Sequence, residues 1–295
     1  MSTITPDFSA QRSARTIRNG LATVLITLAL FLVLLPLVLL LVQVIAKGGK
    51  SLSWSFFTKD IPSVRRPGPG MGPAILGTLI MTAGASLMAI PLGVLGAVYL
   101  HEYGKGGRVA GVLRFFANVM SGVPSIVMGL FIVTIWVLRR GADGFSGFAG
   151  SLALGCLMLP IIIRSAEEML KLVTDQLREA SLALGTSKAR TILTVVLPAA
   201  LPGISSGVLL AVARASGETA PLLFTILTVT KPNKNLFKGP NTALSTQIFS
   251  NAQQPFAGAQ GRAWGAALTL VLIAFLLTLV SRLVVARLDP LRKAN

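Results

Sequence analysis

The sequence predicts an all-α polytopic membrane protein with six transmembrane helices, and three observations carry that prediction. Of 295 residues, 53% are hydrophobic and only 13% are charged, whereas soluble domains carry about 25% charged residues. The apolar residues gather into runs that match the roughly 20 helical residues needed to cross a hydrocarbon core of about 30 Å. The charges lie almost entirely between those runs.

The first run, from Leu21 to about Ile45, is longer than the apolar core of a cleavable leader and does not end in small residues. It reads as a retained helix, after a tail at 1–20 and before a polar loop at 46–71. Five further runs follow at Ala74–Leu100, Ala110–Leu138, Phe148–Ile163, Ala199–Val229 and Trp264–Val285. They form a membrane core over 72–286, closed by a tail at 287–295. The fourth run is short and the fifth long, so their ends are the least defined.

Charge distribution gives the orientation. With the N-terminus inside, inner segments hold 15 of the 27 Lys and Arg residues and outer segments hold 11, while Arg214 lies within a span. Trp54, Trp136 and Trp264 then fall outside or at outer helix ends and Tyr99 and Tyr103 at an inner end, a pattern that fits aromatic anchoring at both interfaces. Both tails are thus expected in the cytoplasm. The outer segments contain only Asp60 and Asp143 as acids. Such a basic face attracts an anion or an acidic partner, and ordinary solvated loop charge accounts for it equally well.

The net charge of +17 raises the question of nucleic acid. The basic residues are scattered between apolar runs, with no recognition helix and no aromatic-interleaved basic patch, so nucleic acid is not an expected partner; membrane lipid is. Cys156 lies inside an apolar run, where it reads as a small core residue. The single His101, beside Glu102 and Tyr103, reads as an interfacial side chain, since no second histidine exists to share a metal. An intramembrane enzyme would need a base near a nucleophile, and neither residue supplies the pair.

The longest inner connection runs from Arg164 to Leu197. Its first half alternates charge at Arg164, Glu167, Glu168, Lys171, Asp175, Arg178 and Glu179, while Met169, Leu172, Val173 and Leu177 recur at three- and four-residue steps. That pattern predicts an amphipathic helix outside the membrane. Gly185 interrupts it, and Thr186 or Ser187 can cap a second helix leading into Leu197-Pro198. The result is an elbow that a partner could push, or simply a solvated connector.

Within this loop Glu179-Ala180-Ser181, Gly185, Val195 and Leu197-Pro198 resemble the EAA motif of ATP-binding-cassette importer permeases, with Ser181 for the second alanine and Val195 for the usual isoleucine. The resemblance implies the type I importer permease fold, with a coupling helix at about 179–187 that docks in a groove of the ATPase. It assigns that contact to Glu179, Ala180, Ser181 and Gly185. The chain has no phosphate-cradling loop of its own. Gly49-Lys50-Ser51 mimics the end of one, but Val44 stands where the first glycine belongs. A non-catalytic subunit is therefore expected, without a cofactor, and with ATP and Mg held by a partner.

Arg214 and Glu218 are the only charges deep inside a predicted span. A charge there is costly unless paired or facing water, and four residues of helix would place the two on one face. Counted from Ala199, Arg214 lies roughly 22 Å along the axis, past the midplane. The pair reads either as a structural lock between helices or as an anion-interacting position. Arginine suits the second role because it stays protonated and its forked donors match phosphate oxygens. Ser216 and Thr219 add hydroxyl donors nearby.

The segment from Ala211 to Leu222, with Arg214, Ser216, Gly217, Glu218, Thr219, Ala220 and Pro221, resembles the ARAxGETAPL signature of phosphate-specific permeases of the PstA family. Gly72-Pro73-Ala74-Ile75-Leu76-Gly77-Thr78 and Ser121-Gly122-Val123-Pro124-Ser125-Ile126-Val127-Met128-Gly129-Leu130 are similar to two further stretches of that family. In physical terms Pro124 removes a donor and bends a helix, while Gly122 and Gly129 permit close approach. Such breaks line cavities and permit gating, or serve tight packing.

The resemblance implies a permease subunit of an ATP-driven phosphate importer in a bacterial inner membrane. Its implied partners are a homologous permease (PstC-like), a cytoplasmic ATPase dimer (PstB-like) and an extracytoplasmic phosphate-binding protein (PstS-like). Permeation of another oxyanion, sulfate or molybdate, and a scaffold for phosphate sensing stay open as alternatives.

Overall fold

A computed structural model describes residues 14–104 and 106–288. The tails expected at 1–20 and 287–295 fall largely outside those residues, as do Arg12, Lys105, Arg292 and Lys293 of the charge count. Among the described residues all regular structure is helical. The chain divides into two units, one reaching to Ala46 and one starting at Lys47. The first contains the membrane helix α1, Ala14–Gly49, except its last three residues, which are counted with the second.

The second unit begins with α2 (Trp54–Thr58), then α3 (Gly72–Val98), which a π turn at Tyr99–Tyr103 extends. Next come α4 (Arg108–Gly122) and α5 (Ser125–Ile132), the latter extended by a π turn at Val133–Val137 into α6 (Leu138–Arg140). α7 (Gly147–Leu172) leads to α8 (Asp175–Ala183). α9 (Lys188–Thr191) joins α10 (Leu197–Ser216) through a third π turn at Ile192–Val196. α11 (Ala220–Thr225), α12 (Leu244–Ala252) and α13 (Ala257–Leu288) complete it.

Among the described residues six helical stretches are long and apolar enough to cross a membrane: Arg18–Gly49, Gly72–Tyr103, Ser125–Gly144, Gly147–Leu172, Lys188–Ser216 and Ala257–Val280. The predicted number stands, but three predicted boundaries do not. The run Ala110–Leu138 is cut at Val123-Pro124, where Val123 is extended and Pro124 is non-helical, because proline lacks an N–H and pushes its predecessor out of helical conformation. The run Ala199–Val229 ends instead at Ser216, and Pro221 opens the separate α11. The fourth span does not stop at Ile163. It continues through Arg164 to Leu172, so the first half of the expected amphipathic helix is the end of α7.

Lipid supplies no hydrophobic drive between helices, so close packing and hydrogen bonds hold them together. α3 and α7 form the central pair: Ser151 Oγ donates to Met81 O at 3.0 Å, and Met81, Ala85, Ala89, Leu154, Met158 and Ile162 make a continuous core. Ala211, Val212 and Ala215 of α10 complete that core. Their burial turns the intervening Arg214 outward, with 69% of its side chain exposed. Toward the other end, Ala97, Ala166, Leu170, Ile192, Val196 and Ala200 form a second core beneath α8 and α9.

Candidate functional site

Two interrupted helices meet at the site. α10 stops at Gly217 and the chain restarts as α11, while α4 stops at Gly122 and restarts as α5 after Pro124. α5 and α11 pack so closely that a Cβ on Gly129 would stand 2.6 Å from Pro221 Cα. A Cβ on Gly122, by contrast, would meet open space. The close approach expected of the glycines near Pro124 is therefore made by Gly129, and Gly122 only ends α4.

The third motif joins from the outside of this contact. Gly77 leaves room for the Thr242 carbonyl, and Thr78 Oγ1 accepts from Leu244 N at 2.9 Å. The next residue, Ser245, donates its hydroxyl to Glu218 O at 2.8 Å. Three motifs far apart in the chain thus hold one backbone break, at Gly217–Thr219.

Arg214 occupies the last turn of α10 and Glu218 lies beyond the helix end. Their contact, Arg214 Nε to Glu218 Oε1, is 3.6 Å, with Glu218 only 18% exposed. The two are neighbours because the chain turns between them, not because they share a helix face as the spacing implied. A cation at a helix C-terminus is also favoured by the helix dipole. The arrangement is an exposed guanidinium beside a largely buried carboxylate whose backbone is held by Ser245. Ser216 is not brought to it: the side chain is 3% exposed and its Oγ donates to Ala213 O at 2.7 Å. Thr219 is half-buried at the start of α11.

At the opposite end of α10 stands the elbow. α8 spans Asp175–Ala183, so Glu179, Ala180 and Ser181 lie in its second half. Gly185 follows with φ +79°, a backbone conformation that favours glycine, and Ser187 caps α9 by accepting from Arg190 N at 3.4 Å. Glu179 and Ala180 are exposed, whereas Ser181 is buried. Its hydroxyl lies 2.8 Å from Thr186 Oγ1 and 2.9 Å from Thr191 Oγ1, and those two are themselves 2.9 Å apart. The serine that departs from the EAA pattern therefore ties both arms of the elbow. Leu177, Leu182 and Leu184 are exposed, the last at 85%.

The charges read along this loop form specific pairs. Arg114 of α4 donates to Glu167 of α7 at 3.0 Å through Nε and to Leu100 O at 2.9 Å through Nη2. Lys171 also lies 3.5 Å from Glu167. Cys156 is half-buried against a small apolar cluster around Ile132 and Ala153. Sequence reasoning gave Thr78 no contact of its own and missed Ser245, for which no local signal exists, since its partner is 27 residues away.

Residues 89–293 match the family described as binding-protein-dependent transport system inner membrane component. The chain is 40% identical over 274 residues to the phosphate transport system permease protein PstA 1 of Mycobacterium tuberculosis (strain ATCC 25618 / H37Rv), covering 92% of this chain and 88% of that one. It is 40% identical over 270 residues to the phosphate transport system permease protein PstA of Yersinia pestis, covering 92% and 90%. Among solved structures, an inward-facing MetNI methionine ABC transporter matches with a TM-score of 0.58 at 18% identity, over 72% of this chain and 93% of that one. A bacterial ABC transporter involved in import of the acidic polysaccharide alginate matches with a TM-score of 0.58 at 14% identity, over 92% and 96%. At these identities the two structures support the fold alone.

Proposed function

The chain belongs to the binding-protein-dependent transport inner membrane components and, within them, to the PstA phosphate permeases, and from that premise we propose how its residues pass the ion. It is a non-catalytic, multi-pass inner-membrane subunit of a phosphate ABC transport system, working with an ATPase and a binding protein.

Phosphate moves past Arg214 in a cavity closed on its other side by a homologous permease. The observation that carries this reading is a guanidinium 69% exposed at the end of a membrane-spanning helix. Facing lipid there costs several kcal/mol, so water or a polar partner covers that face. Its forked donors suit a phosphate oxygen pair. Glu218, anchored by the bond from Ser245 to its backbone, keeps the arginine in place and competes with the anion, so that binding stays weak enough for release. Thr219 flanks the route, and the breaks at Gly122-Val123-Pro124 and Gly217 give it freedom to open and close.

Both tails face the cytoplasm, where the ATPase binds ATP and Mg. The exposed face of α8, with Glu179, Ala180 and Leu182, together with Leu184 just beyond the helix, docks in the ATPase and carries its motion through Gly185 to α10. A binding protein delivers phosphate on the opposite side.

The test is uptake of radiolabelled phosphate by the complete complex in proteoliposomes, with unlabelled anions as competitors. Competition by phosphate alone supports the reading. Equal competition by sulfate or molybdate would transfer it to a broader oxyanion permease.

A further inference from the structure

Covalent continuity attaches the elbow to α7 through Val173-Thr174 and to α10 through the π turn at Ile192–Val196. A third attachment is made by side chains alone. Glu102 lies in the π turn that ends α3 and is 5% exposed. Arg178 of α8 donates through Nε and Nη2 to the same Glu102 Oε1, at 3.1 and 2.9 Å. The guanidinium also donates to Val173 O at 2.6 Å, Leu170 O at 3.0 Å and Asp175 Oδ1 at 3.2 Å, and lies 3.1 Å from His101 Nε2.

The second arm of the elbow reaches the same turn. Lys188 Nζ donates to Glu102 O and sits over the Tyr103 ring, 4.6 Å from its centroid. With the Ser181, Thr186 and Thr191 hydroxyls joining the arms internally, the elbow is a stiff body fixed to α3 at one residue from both sides. The Arg164–Glu168 pair at this end is looser, 3.9 Å apart with side chains 65% and 60% exposed, whereas Arg178 is 12% exposed.

α3 carries that attachment across the membrane. In its second turn Thr78 accepts from Leu244 N beside the Ser245 that holds Glu218 O, and the π turn that extends its other end holds Glu102. We propose that Glu102 and Arg178 are positioning residues that join the elbow to α3, so that motion of the elbow reaches the Arg214–Glu218 break along α3 as well as along α10. The proposal rests on the transport reading above. It assigns the pair a specific quantity, the phosphate moved per ATP hydrolysed.

The test compares wild type with Glu102→Gln and Arg178→Lys in the complete complex, reading ATP hydrolysis and phosphate uptake in the same vesicles. Hydrolysis is expected to stay within about twofold of wild type while uptake per ATP falls at least about tenfold, in the usual range of coupling between sites. Uptake per ATP equal to wild type, or uptake and hydrolysis falling together with the amount of assembled complex, would overturn it.

A second measurement is independent of the transported anion. Spin labels at the exposed Leu95 and Gln176, in a Cys156→Ser background, report the distance between α3 and α8. In wild type that distance is expected to be the same without nucleotide and with trapped ATP, and in Glu102→Gln to differ between the two. An unchanged distance in the variant overturns the joint. If the wild-type complex takes up no phosphate, the substrate reading fails and the label distances decide the joint alone.

Discussion

Gly129 and Pro221 touch through backbone: a Cβ at position 129 would lie 2.6 Å from Pro221 Cα and 2.9 Å from Pro221 O. The contact brings the restart of one broken helix onto the restart of another. It explains why a residue without a side chain occupies position 129, and it fixes α11, and so the approach to Glu218, against α5.

Gly129→Ala therefore overpacks a contact with no flexible side chain to yield. The expected cost is about 1–3 kcal/mol, seen as a lower midpoint in thermal unfolding of the detergent-purified chain. Gly111→Ala is the control. Its Cβ meets open space in the exposed face of α4, so removing a helical glycine should leave stability unchanged or raise it by up to about 1 kcal/mol.

Arg214→Gln removes the charge while keeping a polar side chain of similar reach. Phosphate uptake by the complex should fall at least about tenfold, since hydrogen bonds to charged groups contribute about 1.5–3 kcal/mol. Arg214→Lys should retain part of the uptake, because it keeps the charge and loses the fork. The side chain is exposed, so assembly of the complex, followed by co-purification, should be unaffected. Wild-type uptake by Arg214→Gln would remove the residue from the pathway.

Ser181→Ala restores the second alanine of the EAA pattern and deletes the hydroxyl that meets Thr186 and Thr191. The turn should loosen by about 1 kcal/mol. Hydrogen exchange of the amides from Leu184 to Thr191 should quicken several-fold, with the rest of α7 and α10 unchanged.

Leu184→Glu places a charge on the most exposed leucine of the elbow, 85% accessible in the isolated chain. If the ATPase covers this face, a desolvated carboxylate opposes docking, and ATPase recovered with the tagged chain should drop at least about tenfold. Leu172→Glu, on the end of α7 and 73% exposed, separates that surface from the neighbouring one by the same assay.

Much of the candidate site was legible because its chemistry is local. Arg214 and Glu218 stand out as charges in an apolar run, Pro124 as a residue that bends a helix, and Gly185 as an interruption in a charged periodicity. What misled was the assumption that an apolar run is one helix. Hydropathy reports the transfer free energy of each side chain, and both halves of a broken span score alike.

The amino-acid order by itself determined an all-helical membrane chain of six spans, a polar elbow between the fourth and fifth, and a cation inside the fifth run. Each follows from a sum over neighbours in sequence: transfer energy, periodicity and backbone stiffness. Only the tertiary structure decided where α10 stops, which side Arg214 faces, and that Glu102 receives Arg178 from 76 residues away. The physical reason is that a helix end needs partners for its freed backbone groups and a buried charge needs a counter-charge. Those partners come from segments such as α12 and α8, whose arrival no local pattern records.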